Sequence, residues 1–376
     1  YASDLHLGVA DDRTVSERVL IIDESSMISE EDLSNIRTVA PDAIIIGVGD
    51  HHQLPPVGGR PGFDWTDADA VGLTQVFRQA AGSPVLEAAT AIREQRVPFT
   101  FSKAADFRAG TSILRRAGVP SEWTDATTAA SYLAQALRAT DGDAAAVVGT
   151  HVSRVLVNDA TRRCLGLPGR EHGPAVGERL VARESAGGMA NATTCTVVRV
   201  EEQDFGDRFG FGWIMEVRTE TGGRREVALL EQQWRLVDTP ANRGKIPYSV
   251  RRMLTAYSEE DAGAQGVEIA DRVQALHSQW SEGQDADAEA PRWRQDMWRA
   301  QAAREVGAWA IYLTRHLAAL DTGYAVTCHA AQGSQWERGM IVSDWVDFLA
   351  TDPATGDVDG DTVYRWSYTA LTRAKA

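Results

Sequence analysis

Two short, wholly apolar runs, "VLII" at 19–22 and "AIIIGV" at 43–48, are too short for helices and rich in Ile and Val, so they predict β-strands. Between them, "SEEDLSNIRTVAP" has Ser29 placed to cap a helix, Asp32 three residues later and Pro41 beyond its end. The strand–helix–strand rhythm predicts a parallel sheet covered on both faces. "PVLEAATAIREQR" (84–96) predicts a helix that begins on a proline. From 99 to 143, turn signals alternate with short helical pieces, the pattern of a connector or small subdomain. A strand "AAAVVGT" near 144 and a helical "VSRVLVNDATRRCLG" then open a second α/β domain.

From 175 to 238 the period shortens. "ERLVARES", "CTVVRVEEQ", "WIMEVRTE" and "REVALLE" read as strands between Gly, Asn and Asp turns, as in a small β-barrel. Residues 254–300 are polar, with "SEGQDADAEAP" an exposed loop, and "WRAQAAREVGAWAIYLTRHLAAL" predicts one long helix. Parallel-sheet character returns in "GYAVTCHAAQGS" and "MIVSDWVDFL". The barrel-like segment is therefore expected to be inserted into the second α/β domain.

Composition changes this picture little. The 376 residues, 43% hydrophobic and 24% charged, are those of a globular protein of two or three domains. Cys164, Cys195 and Cys328 lie far apart with no Cys-x-x-Cys pair, which argues against a disulfide framework or structural zinc site and fits a reducing, cytoplasmic setting. No apolar stretch reaches membrane-spanning length. The net charge of −15 opposes non-specific polyanion binding and demands a locally basic groove of any nucleic-acid partner. The opening at Tyr1 and the close on "TALTRAKA" are read as those of a piece of a longer protein.

Chemistry enters at the strand ends. Asp23 and Glu24 follow the first apolar run and Asp50 the second, in the crevice where open α/β sheets bind ligands. One carboxylate suits a nucleotide-bound Mg²⁺ and the other a water. An Asp–Glu pair alone also suits a helix start. Gln53 adds an amide fit to sense a terminal phosphate, on a loop stiffened by Pro55 and Pro56. His51 and His52 lack partners at zinc-binding spacing, so no metal site is expected there. No Gly-x-x-x-x-Gly-Lys-Ser/Thr stretch is present, and Gly244-Lys245 is followed by Ile246.

"VLIIDESSM" resembles the Walker B motif of superfamily 1 helicases, and "GVGDHHQLPPVG" their third motif. "LTQVFRQAAGSPVLEAATAIR", "YAVTCHAAQGSQWE" and "YRWSYTALTRAKA" are similar to the fourth, fifth and sixth, all in family order. The wording is most similar to the RecD-like, 5′-to-3′ branch. That resemblance implies an α/β fold of two RecA-like domains with an SH3-like barrel inserted. It assigns residues 1–98 to an incomplete first motor domain, 99–143 to a connector, 144–174 and 239–376 to the second domain, and 175–238 to the barrel. It implies ATP and Mg²⁺ as cofactors, with Asp23 on the metal and Glu24 as general base. Gln53, Arg78 and Arg373 would reach the γ-phosphate, and Gly333 would lie in the nucleotide site. Pro55, Pro56, Thr327, His329 and Ser334 would contact nucleic acid.

Ala330 and Gln335 depart from the Lys or Ser and the Glu common in relatives, which weakens any ribose contact or coupling assigned there. The Walker A loop is expected upstream of residue 1, leaving this chain without ATP turnover of its own. The expected partners are single-stranded DNA, duplex junctions and replication or recombination proteins, with no membrane. An RNA helicase, or a non-catalytic nucleic-acid-binding module on the same scaffold, is the alternative. Trp65, Trp293, Trp298, Trp336 and Trp345 are read as base-stacking platforms or packing, and Arg179, Arg183 and Arg199 as a DNA-facing stripe or a solvated strand face.

Overall fold

The computed structural model describes residues 19–56, 59–66, 71–72, 84–94, 107–109, 112–115, 123–206, 209–235, 259–282, 290–342 and 359–375. Strands β1 (Val19–Ile22) and β2 (Ile44–Gly47) pair in parallel, Val19 opposite Ile44. Helix α1 (Glu30–Val39) connects them. Its start is a complete capping box: the Asp32 N–H donates to Ser29 Oγ at 3.1 Å and the Ser29 N–H to Asp32 Oδ2 at 3.1 Å. The expectation of a sheet covered on both faces fails here. Val19, Ile21, Ile44 and Ile46 are 45–67% exposed, and among the described residues β1 and β2 form a two-stranded ribbon whose alternate side chains stand open.

A second sheet has the order β11-β5-β12-β4-β3. Its members are β3 (Phe107–Ala109), β4 (Ser112–Arg115), β5 (Ala144–Val148), β11 (Ala325–Thr327) and β12 (Arg338–Val342). All neighbours run parallel except the β3–β4 hairpin. Every residue of β5 is buried, as its unbroken apolar run requires of a strand with parallel neighbours on both sides. Ala126 and Ala130 of α3 (Trp123–Ala139) pack on Leu156 and Ala160 of α4 (His151–Leu165). On α4, the buried Asn158 accepts the N–H groups of Tyr324 (3.0 Å) and Ala325 (2.7 Å) and donates to the Ala325 carbonyl (3.1 Å). One amide thus satisfies the free edge at the start of β11. The main core joins Leu54, α2 (Pro84–Arg93), β5, β12 and α9 (Gly360–Leu371) around Trp336 and Trp366.

The chain divides into two compact units, Tyr1–Cys164 with Tyr324–Ala376, and Leu165–Gly323. The second unit holds a sheet of order β10-β6-β7-β8-β9, every pair antiparallel. Its strands are β6 (Arg179–Ala182), β7 (Thr194–Asp204), β8 (Phe211–Thr219), β9 (Arg224–Leu230) and β10 (Leu320–Thr322). No ladder closes it into a barrel among the described residues. A single bridge between Ala228 and Leu317 draws β9 toward the segment that enters β10, with the Ala318 N–H donating to the Ala228 carbonyl at 2.9 Å.

The predicted long helix is two, α7 (Arg292–Val306) and α8 (Trp309–His316), and Leu320 at its expected end belongs to β10. Gly307 breaks it at φ 72°, a left-handed conformation that glycine takes without steric cost, and its N–H caps the α7 carbonyls. Helices α5 (Glu231–Arg235) and α6 (Glu259–Ser281) belong to the same unit. A buried ion pair, Arg170 Nη2 to Asp321 Oδ1 at 2.9 Å, ties the loop before β6 to β10, with the guanidinium 4.5 Å from the Trp234 ring. No described helix is long and apolar enough to cross a membrane.

Candidate nucleotide and nucleic-acid site

Two loops at the carboxyl ends of β1 and β2 run against each other. The Val48 N–H donates to the Ile22 carbonyl (2.8 Å) and the Ser25 N–H to the Val48 carbonyl (2.9 Å). Gly49 lies so near that a Cβ there would stand 2.9 Å from the Ser26 nitrogen and 3.0 Å from Ser25 Oγ, so only glycine allows the approach. Asp23 is exposed at the end of β1 and accepts the Glu24 N–H at 2.9 Å. Glu24 itself holds φ 51° and ψ 35°, a left-handed backbone uncommon outside glycine. Such strain concentrates at functional loops.

The second loop, Asp50–Leu54, is clasped by α9. The Tyr368 hydroxyl donates to Asp50 Oδ2 at 2.6 Å, while Asp50 Oδ1 accepts the His52 N–H at 3.0 Å. The buried Leu54 N–H donates to Thr369 Oγ1 at 3.0 Å. Arg365 Nη1 reaches the carbonyls of His51 and, at 3.4 Å, Gln53. From the loop after β11, Gln332 Nε2 donates to the Leu54 carbonyl at 3.3 Å. Burial and the Asp50 carboxylate both hold the Tyr368 hydroxyl well above its ordinary value. His52 is held below its ordinary value by burial first and by the neighbouring His51 ring next. At the centre, Gln53 is 8% exposed, and its Oε1 has no hydrogen-bond partner among the described residues.

Arg373 follows α9 and is 1% exposed. Its Nε donates to the Thr369 carbonyl (3.0 Å), Nη2 to Thr372 Oγ1 (2.9 Å) and Nη1 to the Ser334 carbonyl at 3.5 Å. The Trp336 N–H to Arg373 carbonyl bond (2.9 Å) joins the same two segments. Thr327, at the end of β11, is 7% exposed, and burial holds the His329 imidazole below its ordinary value. Gly333 turns the loop at φ 76°. Pro55 and Pro56 are half-buried beside Gln53. The expected stacking residue Trp336 is 9% exposed, as is usual for packing. Arg78, Trp345 and the Gly244-Lys245 pair lie outside the described residues.

The clasping residues Arg365, Tyr368 and Thr369 carry no role in the motif wording. Their i, i+3, i+4 spacing, which puts all three on one face of the helix, is the signal that finds them.

The donors fit a magnesium–nucleotide from one side. Mg²⁺ is commonly held by one or two carboxylates plus phosphate oxygens, and Asp23 offers such a carboxylate. No cluster of three or more His, Cys, Asp or Glu capable of holding an ion unaided occurs among the described residues. The orphaned Gln53 Oε1 is a buried acceptor awaiting a donor such as a bound water.

Residues 4–114 match the AAA domain family. A stretch of 83 residues is 41% identical to the ATP-dependent RecD2 DNA helicase of Deinococcus radiodurans. That match spans 21% of this chain and 12% of the relative's length. Among solved structures, the chain is similar to the Pif1 helicase from Candida albicans at 13% identity and a TM-score of 0.46, over 96% of this chain and 70% of that one. It is also similar to the Pif1 helicase from Bacteroides in complex with ADP-AlF3 and ssDNA, at 15% identity and a TM-score of 0.46, over 96% and 69%.

Proposed function

We propose that this chain acts as an ATP-dependent DNA helicase of the RecD-like branch, which moves 5′-to-3′ on single-stranded DNA. The observation that carries the reading is the clasp: Asp50, Gln53 and Leu54 of one motif meet Tyr368, Thr369 and Arg365 of another and Gln332 of a third, across some three hundred residues of sequence. Segments so distant are brought together at the polar backbone of one loop, which suits a loop that must report a phosphate to the rest of the motor.

In this reading Asp23 holds Mg²⁺, Glu24 deprotonates the attacking water, and Gln53, Arg78 and Arg373 address the γ-phosphate. Fixed cations and donors of this kind supply most of the catalysis in phosphoryl transfer. ATP with its metal supplies the reacting phosphoanhydride. Thr327, His329, Ser334 and the Pro55–Pro56 loop face the nucleic acid, with Gly333 shaping their turn. The five-stranded antiparallel sheet with its β9–Leu317 bridge serves as an SH3-like grip inserted in the second motor domain. No glycine–lysine loop of the Gly-x-x-x-x-Gly-Lys-Ser/Thr type occurs among these 376 residues, and the reading requires one to hold the phosphates.

The test is Glu24→Gln in a form of the protein that hydrolyses ATP. ATP and DNA binding persist while turnover falls at least a hundredfold, because general-base catalysis contributes about 10²–10⁴ in rate. Normal turnover in the variant would remove Glu24 from this role.

A further inference from the structure

A closed circuit of hydrogen bonds runs through the peptide group of Leu54. Its N–H donates to Thr369 Oγ1 at 3.0 Å, and its carbonyl accepts Gln332 Nε2 at 3.3 Å. The Thr369 carbonyl accepts Arg373 Nε at 3.0 Å. Arg373 Nη1 then reaches the Ser334 carbonyl, two positions beyond Gln332, at 3.5 Å. The circuit joins the Asp50–Leu54 loop, the end of α9 and the loop after β11, all inside one compact unit.

The role assigned to Arg373 does not explain this setting. A guanidinium that addresses a phosphate presents its planar fork, two N–H groups side by side, to the ligand. Here the side chain is 1% exposed, and Nε, Nη1 and Nη2 each donate to the protein, Nη2 to Thr372 Oγ1 at 2.9 Å. Its charge is felt inside the unit: burial pushes the Cys328 thiol up, and the Arg373 guanidinium pulls it back. In this conformation the arginine serves the interior.

The links are unequal. The bond to Ser334, at 3.5 Å, is the longest of the circuit and the first to yield. Ser334 sits beside a turn whose Gly333 holds φ 76°, is exposed and has open space where a side chain would stand. The loop can shift there without a clash. The other acceptors of Arg373 belong to the carboxyl end of α9. When the arginine leaves, the Thr369 carbonyl keeps the Thr372 hydroxyl at 3.0 Å, so release leaves that carbonyl satisfied.

We propose that this circuit is an autoinhibitory latch. It keeps Arg373 parked against the Ser334 loop, and single-stranded nucleic acid that engages that loop opens it and releases the guanidinium toward the nucleotide. The latch rests on the reading of Ser334 as a nucleic-acid contact and of Arg373 as a γ-phosphate contact. Gln332 is then a positioning residue, which holds the Leu54 end of the circuit closed until the strand arrives. The cation that speeds hydrolysis is thereby withheld from a motor with no strand to move along.

The test is reaction of the full 376-residue chain with phenylglyoxal, which modifies accessible guanidinium groups, read by mass spectrometry of the peptide that holds Arg373. Added N-acetylarginine serves as the reference. In the free chain Arg373 should react far more slowly than the reference. Saturating oligo(dT) should raise its rate about two- to tenfold, the change expected for the loss of one hydrogen bond. Gln332→Leu should give a similar rise without oligonucleotide and little further rise when oligo(dT) is added. A merely structural Gln332 would leave the oligonucleotide-dependent rise intact and would overturn its part in the latch. The wild-type comparison stands by itself if that variant fails to fold. Arg373 as reactive as the reference in the free chain overturns the latch alone, as does unchanged protection in a chain that binds oligo(dT) by anisotropy. Absence of oligo(dT) binding overturns it together with the DNA reading.

Discussion

Replacing Tyr368 by phenylalanine removes one hydroxyl from the clasp and little else. The ring packs against the main core and stays there, so no cavity opens. What goes is the 2.6 Å bond to Asp50 Oδ2, while Asp50 keeps its bond from the His52 N–H. Hydrogen bonds to charged groups contribute about 1.5–3 kcal/mol, and the half-buried setting puts this one at the lower end, about 1–2 kcal/mol. For a unit of this size that lowers the unfolding temperature by about 3–6 °C.

The pH dependence gives a second reading. Because Tyr368 is held above its unfolded value, its contribution is fully present below about pH 10 and is lost as pH rises through the folded value. The variant lacks that alkaline loss. Urea unfolding followed by circular dichroism should show the gap at neutral pH and its narrowing above about pH 10. The buried phenol Tyr312, also raised by burial, is common to both proteins and cancels in the difference. Asp50→Ala combined with Tyr368→Phe should cost less than the sum of the single changes. Equal midpoints at neutral pH, or strict additivity, would show that the bond holds nothing.

Thr369→Val keeps the shape of a fully buried side chain but strands the Leu54 N–H, and should cost about 1–3 kcal/mol in chemical denaturation. Asp321→Ala removes the carboxylate 2.9 Å from the buried Arg170 guanidinium and should cost about 3–5 kcal/mol, whereas Arg170→Met with Asp321→Leu recovers most of it, as read by thermal melts. Gly212→Ala places a Cβ 2.3 Å from the Leu229 carbonyl across the β8–β9 ladder and should lower the urea midpoint by about 1–3 kcal/mol equivalent or prevent folding. His316 is held below its ordinary value by burial, so its contribution is complete above about pH 6.5 and fades as pH falls. His316→Phe should therefore flatten the acid side of the stability profile.

What the sequence disclosed, it disclosed through local physics. Ser29 and Asp32 announce their capping box because both partners lie within one turn, and "AAAVV" announces a buried strand because no polar residue interrupts it. The break at Gly307 was legible in principle, yet the apolar spacing on both sides masked it. The recruitment of Leu320–Thr322 into the antiparallel sheet was not legible, since three residues carry no period and the pairing with β6 spans some 140 positions. The openness of β1 and β2 was missed because an apolar run states that a strand can be buried, not what buries it. At the candidate site the motif wording named Asp23, Glu24, Gln53 and Arg373, but the residues that grip the loop were visible only once α9 had a face.

The amide of Asn158 bears on how such a chain can evolve. The backbone leaves at the end of α4 and re-enters at β11, and Asn158 fastens the point of re-entry with three hydrogen bonds. To its host, everything between is a loop whose length enters the closure entropy only logarithmically, about 0.6 kcal/mol for each doubling. A cassette of almost any size can therefore be exchanged at this seam without refounding the parallel sheet. The fixed cost is carried by the suture, and a lineage free to vary the cassette has little freedom at residue 158.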